Sequence, residues 1–204
     1  NNLNPVHFGN PDLKWETVSS INAGIDFTIL KGRVFGFIDY FNKKTKDPIL
    51  DFAISQPTAG SGTIYKNLDG VQAQKGEVTN KGFEVSLGVA IVEKKDFTWD
   101  VIGNITFVKN LFTSPQLSNV PFVKNTGELN GQGSTGAYSQ VIASGQPINV
   151  FYLQQFLGFD RATGIANYAE GGPKFGDDPN PDAFFGISTS LTYKKWGLGI
   201  NMHG

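Results

Sequence analysis

Residues 82–108 read GFEVSLGVAIVEKKDFTWDVIGNITFV and show the clearest strand pattern in the chain. Apolar side chains occupy alternate positions on both sides of the charged residues 93–96, and mostly small or polar residues stand between them. A period of two is typical of strands whose two faces differ in polarity. The charged residues form a polar turn signal, so the stretch predicts an antiparallel β-hairpin.

The same periodicity recurs on both sides of this hairpin. Residues 20–30 and 33–42 form a second predicted hairpin around the turn signal Lys31-Gly32, and residues 183–193 and 197–203 form a third. No helical periodicity appears. The composition of 25 Gly, 17 Phe and one Met also favours strands and turns over helices. We therefore predict an all-β protein of antiparallel up-and-down strands.

Short and long connections alternate along the chain. The turns at 31–32, 93–96 and 194–196 are short, whereas long segments follow Asn42, Asn110 and Ala169. Outer-membrane barrels show this asymmetry, with short periplasmic turns and long external loops. Within the long segments we predict strands at 49–54, 149–160 and 165–169, loops at 57–63 and 171–182, and a loop at 110–147 with one short strand near 120–124.

The chemistry of the two strand faces also favours a membrane barrel. One face is apolar, and the other carries small polar residues with one isolated acid per strand: Asp26, Asp39, Glu84 and Asp100. Such a sparsely charged face suits a wet lumen, and aromatics near strand ends suit an interfacial girdle (Tyr40, Phe97, Trp99, Tyr193 and Trp196). A soluble β-sandwich fits the periodicity as well. In a barrel the following six side chains point outward, and in a sandwich they meet in a core: Ile21, Ile25, Phe83, Leu87, Trp99 and Ile105.

Composition excludes several classes of function. With 17 basic and 18 acidic residues the net charge is −1, which gives no case for nucleic-acid binding. The chain has no Cys, and His7 and His203 lie in no catalytic or metal-binding motif. Acids sharing one face could hydrolyse glycosides, but lumen-lining hydrogen bonds explain them better. We expect no enzyme activity, no catalytic residue, no cofactor and no bound metal.

The long connections are where we expect ligand contacts. Aromatic rings stack on sugars and amides hydrogen-bond to hydroxyl groups. On this basis we predict that seven residues contact a ligand or a covering lid: Tyr138, Gln140, Asn125 and Asn130 first, then Tyr65, Asn67 and Phe175. The alternative is that these are solvated loop residues.

Several motifs occur in the order found in one known family. They are NPDLKWET at 10–17, GIDF at 24–27, GRV at 32–34, IDYFNKKT at 38–45, NKGFEV at 80–85 and DPNPD at 178–182 with the strand at 189–193. Together they resemble the SusC/RagA family of TonB-dependent outer-membrane transporters. The resemblance covers most of the chain.

This resemblance implies a large transmembrane β-barrel that imports oligosaccharides, glycans or peptides for nutrient uptake across the bacterial outer membrane. Its implied partners are outer-membrane lipid, a SusD-like surface lipoprotein acting as a lid, and the TonB system, which acts through a plug region. Residues 1–204 resemble an internal segment of the C-terminal half of the barrel domain. In this interpretation the plug, the TonB box and the final strands are absent from the chain.

The chain departs from the family pattern at two places. Residues 169–177 are shorter and poorer in carboxylates than the calcium-like loop of many members, so we do not expect calcium there. Phe35 and Phe37 stand on the luminal side of their strand, where the family usually has a more polar pair.

Overall fold

The structure is a computed structural model that describes residues 7–53, 62–68, 76–114, 122–131, 134 and 136–204. Within these ranges the chain forms short and long strands and a tight 3-10 turn at Leu30–Gly32. The strands are β1 (His7–Phe8), β2 (Thr17–Ile29), β3 (Val34–Lys46), β4 (Ile49–Ala53), β5 (Thr63–Asn67), β6 (Glu77–Lys94), β7 (Phe97–Thr113), β8 (Val123–Glu128), β9 (Tyr138–Ala143), β10 (Val150–Leu153), β11 (Phe156–Phe159), β12 (Ala166–Tyr168), β13 (Lys174–Phe175), β14 (Ala183–Tyr193) and β15 (Trp196–His203). Among the described residues we find no helix with the length and apolar character needed to span a bilayer.

The chain divides into two compact units. Residues 19–44, 79–110 and 180–204 form one, which we call the sheet unit. The remaining residues up to 18, at 45–78 and at 111–179 form the other, which we call the loop unit.

The sheet unit is built on a six-stranded sheet in the order β15-β14-β7-β6-β3-β2. Strand β14 pairs antiparallel with β7, from Ala183 opposite Phe107 to Tyr193 opposite Phe97. The three predicted hairpins are therefore confirmed, and their strands are neighbours in the order in which the chain reaches them. Several strands are longer than predicted, since β2 begins at Thr17, β3 continues to Lys46, β6 begins at Glu77 and β7 continues to Thr113.

The predicted division into two faces is also correct. On the polar face, a Cβ atom built on Gly24 would meet the carboxylate of Asp39, and one on Gly186 would meet the Asn104 side chain. On the apolar face, the rings of Tyr40 and Phe83 are 5.2 Å apart. The rings of Phe97 and Tyr193, near the tight turns, are 6.5 Å apart.

The apolar face lacks the core that a sandwich would form. Ile21 is 66% exposed and Ile25 is 71% exposed. Phe83, Leu87 and Trp99 are exposed as well, and Ile105 is half-buried. These six side chains therefore do not meet in a dry interior, and the β-sandwich alternative does not describe this sheet.

The loop unit contains the buried apolar side chains of the described residues. Its sheets have the orders β1-β5-β4, β13-β10-β9-β8 and β11-β12. One core joins Leu68, Phe112 and Ile142, and a second joins Val141, Ala143 and Val150. An ion pair of 2.8 Å between Lys124 Nζ and Asp51 Oδ1 links β8 to β4.

For the described residues at 110–147, the prediction of a segment that is mostly loop is wrong. Strands β8 and β9 pair there, from Val123 opposite Ala143 to Glu128 opposite Tyr138. The single strand predicted at 149–160 is wrong too, because Gln154 and Gln155 separate β10 from β11. Strand β13 lies within the loop predicted at 171–182, and β5 begins at Thr63. Residues 57–61 of the loop predicted at 57–63 and residues 120–121 of the strand predicted near 120–124 lie outside the described ranges.

Candidate functional site

The polar face of the sheet unit contains a cavity of about 320 Å³. Asn22 from β2, Asp39 from β3 and Glu84 from β6 line it. Asp39 approaches β2 closely because Gly24 has no side chain at that point. Two half-buried carboxylates and an amide make the cavity a strong acceptor of hydrogen bonds from hydroxyl, amide or ammonium groups.

The sequence predicted four acids on this face, and the structure brings two of them to one cavity. Asp39 and Glu84 line the same cavity, whereas Asp26 and Asp100 are not among its lining residues. The cavity is therefore a local polar site on the sheet and not a continuous row of carboxylates.

Phe35 lies on the polar face without disturbing the sheet. A Cβ atom built on Gly88 would overlap the Phe35 ring, since it would lie 2.5 Å from Cε2. The ring therefore takes the space that a side chain at residue 88 would fill. This packing explains how one large apolar residue fits on a face whose residues are mostly small or polar.

Four of the predicted contact residues belong to the β8–β9 hairpin. Two of them, Tyr138 and Gln140, lie on one face of the hairpin, where they pair with Glu128 and Thr126. Asn125 pairs with Val141 and therefore projects from the other face. Asn130 is exposed in the connection between the two strands, and Tyr138 is 42% exposed.

Two predicted residues lie on β5. Tyr65 is 43% exposed, and its carbonyl accepts a 2.9 Å hydrogen bond from the Asn10 side chain. The Asn67 side chain hydrogen-bonds to backbone groups. Its oxygen accepts from Lys14 N at 2.8 Å, and its amide nitrogen donates to Lys14 O and Asp47 O. The structure therefore uses Asn67 to join three segments of the loop unit.

The last predicted residue, Phe175, lines a cleft of about 470 Å³ in the loop unit. Its ring centroid lies 5.1 Å from that of Tyr152. The other residues that line the cleft were not predicted, among them Gln154, Gln155 and Asp177. The sequence signal for this part of the cleft is the Gln-Gln pair, because it interrupts an apolar run at the point where the chain leaves β10.

The predicted residues thus occupy three places and not one. The β8–β9 hairpin, strand β5 and the Phe175 cleft each hold a part of the set. An aromatic ring beside glutamine amides and a carboxylate makes the cleft the best-equipped of the three for binding a sugar or a peptide.

Comparison with known proteins identifies the family. The family described as "TonB dependent receptor-like, beta-barrel" matches residues 1–202. The chain belongs to this family. The resemblance to SusC/RagA transporters drawn from the sequence motifs is thereby confirmed.

Relatives and solved structures agree with this assignment. The chain is 29% identical over 205 residues to the TonB-dependent receptor SusC of Bacteroides thetaiotaomicron, covering 95% of this chain. It is 29% identical over 219 residues to the TonB-dependent receptor P26 of Formosa agariphila, covering 96% of this chain. The structure of the RagAB peptide transporter matches 96% of the chain with a TM-score of 0.74 at 20% identity, which shows the shared fold.

The chain spans only about a fifth of the length of these relatives. It covers 20% of SusC, 21% of P26 and 21% of the matched RagAB chain. The shared fold is a TonB-dependent barrel, of which the six strands of the sheet unit form an open sheet with β2 and β15 at its edges.

Proposed function

We propose that residues 1–204 form part of the barrel wall and the external loops of an outer-membrane importer. The observation that carries this proposal is the six-stranded sheet itself. Its apolar face is exposed over its length, and small or polar residues make up most of its opposite face. Water disfavours such an apolar surface, and hydrocarbon accepts it, because a bilayer solvates apolar side chains.

The chain acts by shaping the path of the substrate and not by catalysis. The polar face, with Asn22, Asp39 and Glu84, lines the lumen, and the Phe175 cleft contributes to the external vestibule. Energy coupling belongs to a plug region and to the TonB system, which lie outside these residues. No reacting group is required of this segment.

The substrates we propose are oligosaccharides or peptides taken up as nutrients. Similarity to SusC and to the RagAB peptide transporter supports this class without choosing between the two chemistries. We also propose a SusD-like surface lipoprotein as the partner that covers the external loops.

Cell fractionation of the full-length protein tests the proposed location. We expect the protein in the outer-membrane fraction, released only by detergent, because its lipid-facing belt aggregates in water. A full-length protein that stays soluble in buffer without detergent would contradict the proposal.

A single substitution tests the proposed ligand contact at the cleft. Phe175→Ala removes the ring beside Tyr152, and we expect the purified receptor to bind candidate oligosaccharides or peptides several-fold more weakly, since an aromatic contact contributes roughly 0.5–1.5 kcal/mol. Leu157→Ala is the matched control, because Leu157 is 62% exposed and lies on β11, outside the cleft. Equal binding by both variants would show that Phe175 does not contact the ligand.

A further inference from the structure

The apolar face of the sheet unit carries a cavity of its own near the strand ends that join the long connections. Tyr40, Phe83 and Phe107 form its apolar wall, and its volume is about 450 Å³. Lys81 and Lys109 lie at its rim. This cavity is separate from the polar cavity at Asp39 and Glu84, which lies on the opposite face of the sheet.

The two rim lysines stand across from each other on neighbouring strands. The Asn110 side chain donates a 2.7 Å hydrogen bond to the Asn80 side chain, which joins the adjacent positions of β6 and β7. Lys81 and Lys109 follow and precede these asparagines, so they form the next cross-strand pair, and both are exposed. Like charges directly opposite each other destabilise a sheet, and a bound anion would offset their repulsion.

Asp182, the residue before β14 begins, also lines this cavity. Its carbonyl oxygen accepts a 3.1 Å hydrogen bond from Val108 N. The two ammonium groups of Lys81 and Lys109 outnumber this single carboxylate, so the formal charge around the cavity is positive.

A second depression lies farther along the same face, toward the tight turns. Val85, Leu87, Val101, Ile105 and Ile187 line it, and its volume is about 500 Å³. Gly103 lies among these residues, and a Cβ atom built there would approach only the Gly186 carbonyl oxygen, at 3.9 Å. The depression therefore has free space bounded by aliphatic side chains.

We propose that this face binds one phosphorylated, acylated lipid of the outer leaflet. Its phosphate lies between Lys81 and Lys109, and an acyl chain follows the depression at Gly103. Ammonium groups recognise phosphate by charge-assisted hydrogen bonds, and aliphatic walls accept the chain. This inference rests on the proposed function, because the face meets lipid only if it forms the outside of a membrane barrel.

The test uses the full-length receptor in detergent micelles, with monophosphoryl lipid A as the probe. Native mass spectrometry measures how much of the receptor retains the lipid. We expect one retained lipid per receptor, and about tenfold weaker retention by the K81Q/K109Q variant, because a hydrogen bond to a charged group is worth roughly a factor of ten or more. Inorganic phosphate and phosphatidylcholine are the probes that lack the chains and the net charge, respectively.

Two further variants separate the effect of the lysine charges from the effect of the depression at Gly103. K95Q/K195Q removes the same charge at the tight turns and should retain lipid A as the native protein does. Gly103→Phe fills the depression and should lower retention without any change in charge. Heat-modifiable mobility on gels confirms that each variant is folded, and the lysine variant tests the proposal even where Gly103→Phe does not fold.

Several results would overturn this inference. They are equal retention by native protein and K81Q/K109Q, equal losses in K81Q/K109Q and K95Q/K195Q, and retention of lipid A no stronger than that of phosphatidylcholine or displaced by inorganic phosphate alone. Each of these leaves the receptor in the outer membrane. Failure of the proposed function is recognised separately, by a full-length protein that does not fractionate with that membrane.

Discussion

Gly88 has no side chain, and the ring of Phe35 occupies the space that one would fill. The pair shows how single residues decide what each face of the sheet can carry. A similar relation holds for Gly24 with Asp39, where a missing side chain lets a carboxylate approach the neighbouring strand. At this scale the fold depends on which partner each glycine leaves room for.

We expect Gly88→Ala to destabilise the full-length receptor by about 1–3 kcal/mol, because the added methyl group overpacks against the Phe35 ring. Thermal unfolding in detergent measures the loss. The double variant Gly88→Ala with Phe35→Ala should recover part of it.

Gly199→Ala is the matched control for this substitution. Gly199 lies on β15, and a Cβ atom there meets nothing within 4 Å. The Gly199→Ala receptor should unfold at the same temperature as the native receptor. A Gly88→Ala receptor as stable as the Gly199→Ala receptor would contradict the packing argument.

Single elements show where sequence patterns are sufficient and where they fail. The strands of the large sheet were predicted because their alternation is uninterrupted and their turns are short. Strand β9 lacks that alternation: it is held by burial of Val141 and Ala143 against Val150 of β10. Such packing joins residues that are distant in sequence, so no local pattern reveals it.

The candidate site was predictable only in part, for the same reason. Residue type singled out Phe175, and the shared face singled out Asp39 and Glu84. The cleft around Phe175 could not be predicted, because it depends on the break at Gln154 and on the pairing of β10 with β13.

The turn between β11 and β12 contains a pH-sensitive element. Hydrogen bonds from the Thr163 backbone at 2.8 Å, the Thr163 hydroxyl at 2.9 Å and the Ala162 backbone at 2.9 Å hold the pKa of Asp160 below its ordinary value. A lowered pKa in the folded state means that ionised Asp160 stabilises the turn above its unfolded pKa. That stabilisation is lost as the pH falls through the folded pKa.

Hydrogen exchange of residues 156–168, corrected for intrinsic rates, measures this effect in the full-length receptor. We expect constant protection from pH 7 down to the ordinary aspartate range, about pH 4, and declining protection below it. Asp160→Asn should weaken protection at pH 7 and remove the decline. Protection in the native protein that does not change with acidification would show that the turn does not depend on the charge.

At the scale of the whole molecule, the order of the strands sets the topology. Tight turns join β2 to β3, β6 to β7 and β14 to β15, while the long connections leave from the other ends of these strands. In a barrel of this kind the turns face the periplasm and the long loops face outward.

Labelling of intact cells tests this topology. The chain has no Cys, so cysteines introduced at residues 130 and 163 of the long connections, or 95 and 195 of the tight turns, are unique within it. A membrane-impermeant maleimide should label the first pair in intact cells and the second pair only after the outer membrane is opened. The reverse pattern would mean that the barrel is inserted the other way.

The most direct measurement compares neighbouring residues of the sheet in lipid. Spin labels at Leu87→Cys and Ile187→Cys on the apolar face are paired with labels at Ser86→Cys and Ser188→Cys on the polar face, in the full-length receptor in bilayers. Dissolved oxygen concentrates in hydrocarbon, and a nickel chelate stays in water. We expect residues 87 and 187 to be the more accessible to oxygen and residues 86 and 188 the more accessible to nickel. Labels at 87 and 187 that are shielded from both reagents would place these side chains in a dry protein core and contradict this expectation.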